Sequence, residues 1–207
     1  MSKLFAALWR QDRLLNVASV LALVSLALWS RLRYVVGSYT YTYDSGDSHA
    51  VLLKALLLSH GDFTNSARVF FGSPLSSPPL IHGLMAGISR VFAVPIHDIP
   101  LFLTPTVTII GLLALFGMLR KVFDPLIAFL SVGLVALLPR LSFESTEPDK
   151  SPYVLAFFFM ALFALYLGRE RRPWLIVAGC LMGLSVFSHV TGYILLPVFF
   201  ASHVVLA

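Results

Sequence analysis

A chain of 207 residues in which 58% are apolar and only 12% are charged carries about half the charge of an ordinary soluble domain. A mean hydropathy of +0.86 excludes a water-soluble globule, which could not cover so apolar an interior, and makes the bilayer the better solvent. The net charge of +5 does not signal nucleic acid: the basic residues sit in short clusters between apolar runs, where orientation in a membrane explains them. The single cysteine, Cys180, rules out an internal disulfide and a cysteine-rich metal site.

A helix needs about 20 apolar residues to cross the hydrocarbon core. In chain order, the runs that meet or approach this are Leu14–Val36, Leu101–Leu119, Pro125–Leu138, Pro152–Gly168, Trp174–Ser188 and Val190–Ala207. The first follows a short basic stretch (Lys3, Arg10, Arg13) and continues into Ser30-Arg31-Leu32-Arg33 without a small-residue cleavage site, so it reads as a retained anchor. Arg31 and Arg33, at its far end, are expected to snorkel to lipid headgroups. The third run is short and is expected to extend past its proline boundaries. The last two meet at His189, which marks either a polar turn or an ionisable group within the membrane. The fold class is therefore all-α integral membrane.

Pro79–Val94 is also apolar, but it holds His82, Arg90 and central glycines. Treated as an interfacial helix, it lets Lys3/Arg10/Arg13, Arg120/Lys121 and Arg169/Arg171/Arg172 share one, cytoplasmic, side. Residues 37–100 and 140–151 then form two outer loops. They hold seven of the ten acidic residues: Asp44, Asp47, Asp62, Asp98, Glu144, Glu147 and Asp149.

Two concentrations stand out, Tyr43-Asp44-Ser45-Gly46-Asp47-Ser48-His49 and Phe143-Glu144-Ser145-Thr146-Glu147-Pro148-Asp149-Lys150. Carboxylates at a membrane–water boundary suit hard cations such as Mg²⁺ or Mn²⁺, and a metal held there can neutralise substrate phosphates. Asp62 and Asp98 read as solvated charges, and Asp44 equally as a turn former before Ser45-Gly46. His49 and Lys150 are candidate substrate contacts. Each also has a plainer reading, as a solvated helix start and as a partner for Glu147 and Asp149.

The order of parts resembles the GT-C membrane glycosyltransferases: one span, a long outer loop opening on an aspartate and carrying two loop helices, then a pair of spans closing on a second acidic motif. Within them it is most similar to the catalytic subunit of oligosaccharyltransferase. The segments that carry the likeness are Ser30-Arg31-Leu32, Asp47-Ser48-His49 through Ser59-His60-Gly61-Asp62-Phe63, Pro74 to Met85, Val94-Pro95-Ile96-His97, Pro139 to Val154, and Gly192-Tyr193. The second motif departs from the family's D-x-D, reading Glu147-Pro148-Asp149.

The resemblance implies a GT-C-type multi-span bundle that moves an oligosaccharide from a polyprenyl (pyro)phosphate to a polypeptide asparagine. Asp47 would be catalytic and a metal ligand, Asp149 and Glu147 would complete a Mn²⁺ or Mg²⁺ site, and His49 and Lys150 would contact substrate. The expected partners are the lipid-linked donor, the acceptor polypeptide and the bilayer, in a prokaryotic cell membrane or, in a eukaryote, the endoplasmic reticulum. The family's acceptor-reading parts would lie beyond Ala207, so the chain is expected to be an N-terminal part, inactive alone. The alternatives are another GT-C polyprenyl-phosphate-sugar transferase, of mannosyl or aminoarabinosyl type, in which Asp44 and Asp47 form the acidic pair, and a non-enzymatic membrane protein.

Overall fold

The computed structural model describes residues 2–37, 46–61, 80–138, 150–189 and 191–206, with side-chain environments from 13–31 and from 51 to 204 within those ranges. Among the described residues every regular element is helical. They are α1 (Ser2–Gly37), α2 (Gly46–Ser59), α3 (Leu80–Phe92), α4 (Ile99–Val122), α5 (Pro125–Leu137), α6 (Ser151–Gly168), α7 (Pro173–Ser188) and α8 (Gly192–Leu206).

Proline sets several of the starts. Pro100, Pro125, Pro152 and Pro173 occupy the first turn of α4, α5, α6 and α7, where a missing N–H leaves no bond unmade and the fixed φ suits a helix. This corrects the expectation for the third run: α5 does not extend upstream of Pro125, because Asp124 is already extended (ψ 153°).

Among the described residues, three helical stretches are long and apolar enough to cross a membrane: Arg13–Arg31 within α1, Ile99–Val122 and Ser151–Gly168. At 1.5 Å per residue, α4 measures about 36 Å against a hydrocarbon core of about 30 Å. The α5, α7 and α8 helices are apolar but shorter. Leu134, Ile176, Ile194 and Val204 are 70% or more exposed, an arrangement that only a lipid solvent makes favourable. The chain is an integral, multi-pass membrane protein.

Contacts along the helices give their directions. Thr104 meets Tyr153, Gly111 abuts Ala156 and Gly117 faces Phe163, so α4 and α6 run parallel. Ser185 donates to the Val154 carbonyl at 2.9 Å while Gly168 abuts Leu175, so α6 and α7 are antiparallel. A short link at Phe123-Asp124 folds α5 back along α4. Leu26 of α1 reaches Gly133 of α5, and Arg120, near the end of α4, donates to Asn16 Oδ1 at 2.7 Å. Thus α1 runs with α5 and against α4.

Small residues make these approaches possible. A Cβ on Gly111 would lie 2.5 Å from Ala156 Cα, and one on Gly192 would lie 2.6 Å from the Ser185 carbonyl oxygen. Lipid tails supply no hydrophobic drive between helices, so close van der Waals packing of this kind holds a membrane bundle together.

Candidate functional site

The end of the bundle opposite the Arg120–Asn16 contact carries α2 and α3. Val51 and Ala55 of α2, Ile81 and Met85 of α3, Ile96 and Ile99 at the start of α4, and Tyr153 at the start of α6 form one buried cluster. Tyr153 is fully buried, and its hydroxyl shares a 2.8 Å hydrogen bond with Thr104, fixing α6 against α4 just below the loop helices. The turn into α4 is tightened where Ser89 donates to the Val94 carbonyl at 2.9 Å. The α3 helix, 13 residues long, lays its buried face, Ile81, His82, Met85 and Ala86, onto this cluster.

Into the same layer the fold brings two lysines. Lys54 stands between Val51 and Ala55 on the buried face of α2 and is 6% exposed; Lys150, in the bend that opens α6, is 8% exposed. Burial pushes the Lys54 ammonium below its ordinary pKa, and the charge of Lys150 pushes it further. The two cations are therefore close enough to repel, beside the buried cluster that α2 and the start of α6 share. An apolar interior tolerates such a pair where negative charge is also at hand.

The junction is where both acidic loops attach. Asp47 and His49 stand in the first turn of α2, with Asp47 one helical turn before Val51 and two before Lys54, on the same stripe. Asp149 is bonded directly to Lys150. Asp44, Asp62, Glu147 and Asp149 lie outside the described residues, as do the side-chain environments of Asp47 and His49. Among the described residues no group of three His, Cys, Asp or Glu could hold a metal. Of the sequence-predicted site residues, the structure thus brings Lys150 near Lys54, in the middle of the helix that carries Asp47.

Several other expectations resolve here. Asp98 is an exposed carboxylate 3.5 Å from His97. His189 sits in a polar turn between α7 and α8, its Nδ1 3.0 Å from Thr191 Oγ1. Arg31 does not snorkel to headgroups. It is 2% exposed, its Nη1 donates back to the Ala27 carbonyl at 2.8 Å, and the α1 helix that carries it packs against α4 and α5. Sequence reasoning missed Lys54, although one cation in the apolar run Ala50-Val51-Leu52-Leu53-Lys54-Ala55-Leu56-Leu57-Leu58 was the available signal. On the opposite face of α2, Leu53, Leu56 and His60 line an open groove of about 550 Å³ with Arg90 and His97.

Residues 76–207, more than half of the chain, match the family described as dolichyl-phosphate-mannose-protein mannosyltransferase. No curated protein and no solved structure matches the chain. The chain therefore belongs to the dolichyl-phosphate-mannose-protein mannosyltransferase family and, through it, to the GT-C membrane glycosyltransferases.

Proposed function

We propose that this glycosyltransferase binds a polyprenyl-phosphate-linked monosaccharide at the α2–α6 junction, on the non-cytoplasmic side, and transfers the sugar to an acceptor hydroxyl or amide. The observation that carries the reading is the pairing of buried Lys54 and Lys150 where both acidic loops begin or end. A phosphate seated there would gain charge-assisted hydrogen bonds from lysine ammonium groups. The family match supports a polyprenyl-phosphate sugar as donor. The placement of the basic clusters supports the side.

In this reading the acceptor heteroatom attacks the anomeric carbon, and the bond from that carbon to the phosphate oxygen breaks. Polyprenyl phosphate leaves with the electron pair, and the acceptor proton passes to Asp47. Lys150 and Lys54 stabilise the charge developing on the leaving phosphate, and His49, in the first turn of α2, contacts the sugar phosphate. The donor set Asp47, Glu147 and Asp149 is made of hard oxygen ligands and fits Mg²⁺ or Mn²⁺. Such an ion, when bound, supplies further neutralisation of the phosphate.

A second reading, transfer of an oligosaccharide from a polyprenyl pyrophosphate to asparagine, is favoured by the collinear segments from Ser30 to Val154 described above. Binding assays on the full chain in nanodiscs separate the two. Polyprenyl-phosphate-mannose is expected to bind, more weakly after chelation with EDTA, and Asp47→Asn is expected to remove the EDTA effect. Selective binding of a pyrophosphate-linked oligosaccharide would favour the second reading. Binding indifferent to EDTA in the wild type would overturn the metal assignment.

A further inference from the structure

The far end of the first span holds a cation whose hydrogen bonding is half complete. Arg31 is 2% exposed. Its Nη1 donates to the Ala27 carbonyl at 2.8 Å and to Ser30 Oγ at 3.3 Å, and Ser30 itself donates to the same carbonyl at 3.0 Å. These contacts fix the guanidinium plane. The remaining edge, Nε and Nη2, is buried and meets no hydrogen-bond partner among the described residues. Buried donors on a charged group are normally satisfied, because leaving them unmade is costly. The Nε–Nη2 edge is also the fork that grips two oxygens of a phosphate side by side.

Helix directions place this fork at the depth of the Thr104–Tyr153 bond. Asn16 meets Arg120, and α1 and α4 run in opposite senses. Arg31 lies as many residues beyond Asn16 as Pro105 lies before Arg120, so at equal rise per residue the two stand level. Thr104, next to Pro105, is bonded to Tyr153, one helical turn after Lys150. Arg31 therefore lies at the depth of the α2–α6 junction, on the α1 side of α4.

We propose that the Nε–Nη2 edge of Arg31 receives a phosphate group of the polyprenyl donor and makes this residue of the first span a determinant of selectivity for the phosphorylated over the neutral lipid. This rests on the donor reading given above. Arg31 supplies the directional fork. Its burial without an acceptor is a conformation organised for an anion, at the expense of the lipid-free state.

The test uses the full chain in phosphatidylcholine nanodiscs, with polyprenyl phosphate, the matching polyprenol and added phosphatidylglycerol as probes of wild type, Arg31→Met and Arg31→Lys. Wild type is expected to bind polyprenyl phosphate more than about tenfold tighter than polyprenol, the scale of one charge-assisted contact. Arg31→Met should lose that preference, Arg31→Lys should keep part of it, and phosphatidylglycerol should not compete. Without added lipid, Arg31→Met should unfold at the same temperature as wild type or higher, since an uncompensated buried cation has gone.

A preference undiminished in Arg31→Met would overturn the proposal while leaving the donor reading intact. So would a lower lipid-free unfolding temperature, which marks a structural role, or equal competition by phosphatidylglycerol, which marks a headgroup site. A wild type that binds both lipids equally would overturn the donor reading and this inference together.

Discussion

Replacing Gly111 by leucine is expected to disrupt the bundle, lowering stability by more than about 3 kcal/mol, the upper part of the range for overpacking. The cause lies in the α4–α6 contact. An added Cβ at this position would sit 2.5 Å from the Cα and 2.8 Å from the Cβ of Ala156, and neither a helix backbone nor its first carbon can swing aside. The two helices would have to separate, and with them would go the Thr104–Tyr153 bond and the buried cluster that seats α2 and α3. Gly111→Ala should do the same to a lesser degree. Gly179 is the control: it has nothing within 4 Å of its built Cβ, so Gly179→Leu should stay within about 0.5 kcal/mol of wild type. Denaturation in mixed detergent micelles, followed by helical signal, compares the three. A Gly111→Leu protein as stable as Gly179→Leu would contradict the close packing.

The second large effect is expected at the lysine pair. Lys150→Glu should weaken binding of a polyprenyl-phosphate donor by more than about 100-fold, the scale on which buried charged contacts are lost. Lys54→Met should weaken it less while leaving the lipid-free fold unharmed. The pH dependence follows from the lowered pKa of Lys54. An unfolded chain keeps this lysine protonated up to its ordinary pKa of 10.5, and the folded chain releases the proton earlier. Between those points the unfolded state binds more protons, so the contribution of Lys54 to stability rises with pH there and is most unfavourable below both. Donor affinity should move the other way, falling on the alkaline side before ordinary lysines titrate. Titration of binding against pH checks this. In Lys150→Met the fall should shift to higher pH, because one of its two causes has been removed.

The fold class was legible in the sequence because the bilayer imposes a crude rule, length of apolar run, and because proline marks helix starts. Pro125, Pro152 and Pro173 each stand in the first turn of a helix. The site was legible only in part. Asp47 and Lys150 were noticed from local composition, yet what joins their segments is the buried cluster that holds Val51 and Ala55 with Tyr153, which no local pattern encodes. Lys54 escaped because a lone lysine in an apolar helix looks like one that reaches for water. Arg31 was misread for the same reason. Snorkelling describes a cation at a lipid-facing helix end, whereas here Arg31 is buried in a helix packed against α4 and α5. Burial against neighbouring helices was the missing information. The finer choice between donors was suggested by short collinear segments, while the family match over residues 76–207 establishes only the broader class.

Convergence of both acidic loops on one phosphate-binding layer is tested most directly by photocrosslinking. A polyprenyl phosphate carrying a diazirine beside the phosphate, irradiated with the full chain in nanodiscs and mapped by peptide mass, reports which residues line the headgroup. Adducts are expected on the first two turns of α2 and around Lys150 and Tyr153, displaced by unlabelled polyprenyl phosphate but not by polyprenol. Adducts confined to the lipid-facing surfaces of α7 and α8, or unaffected by unlabelled polyprenyl phosphate, would contradict a donor site at the α2–α6 junction.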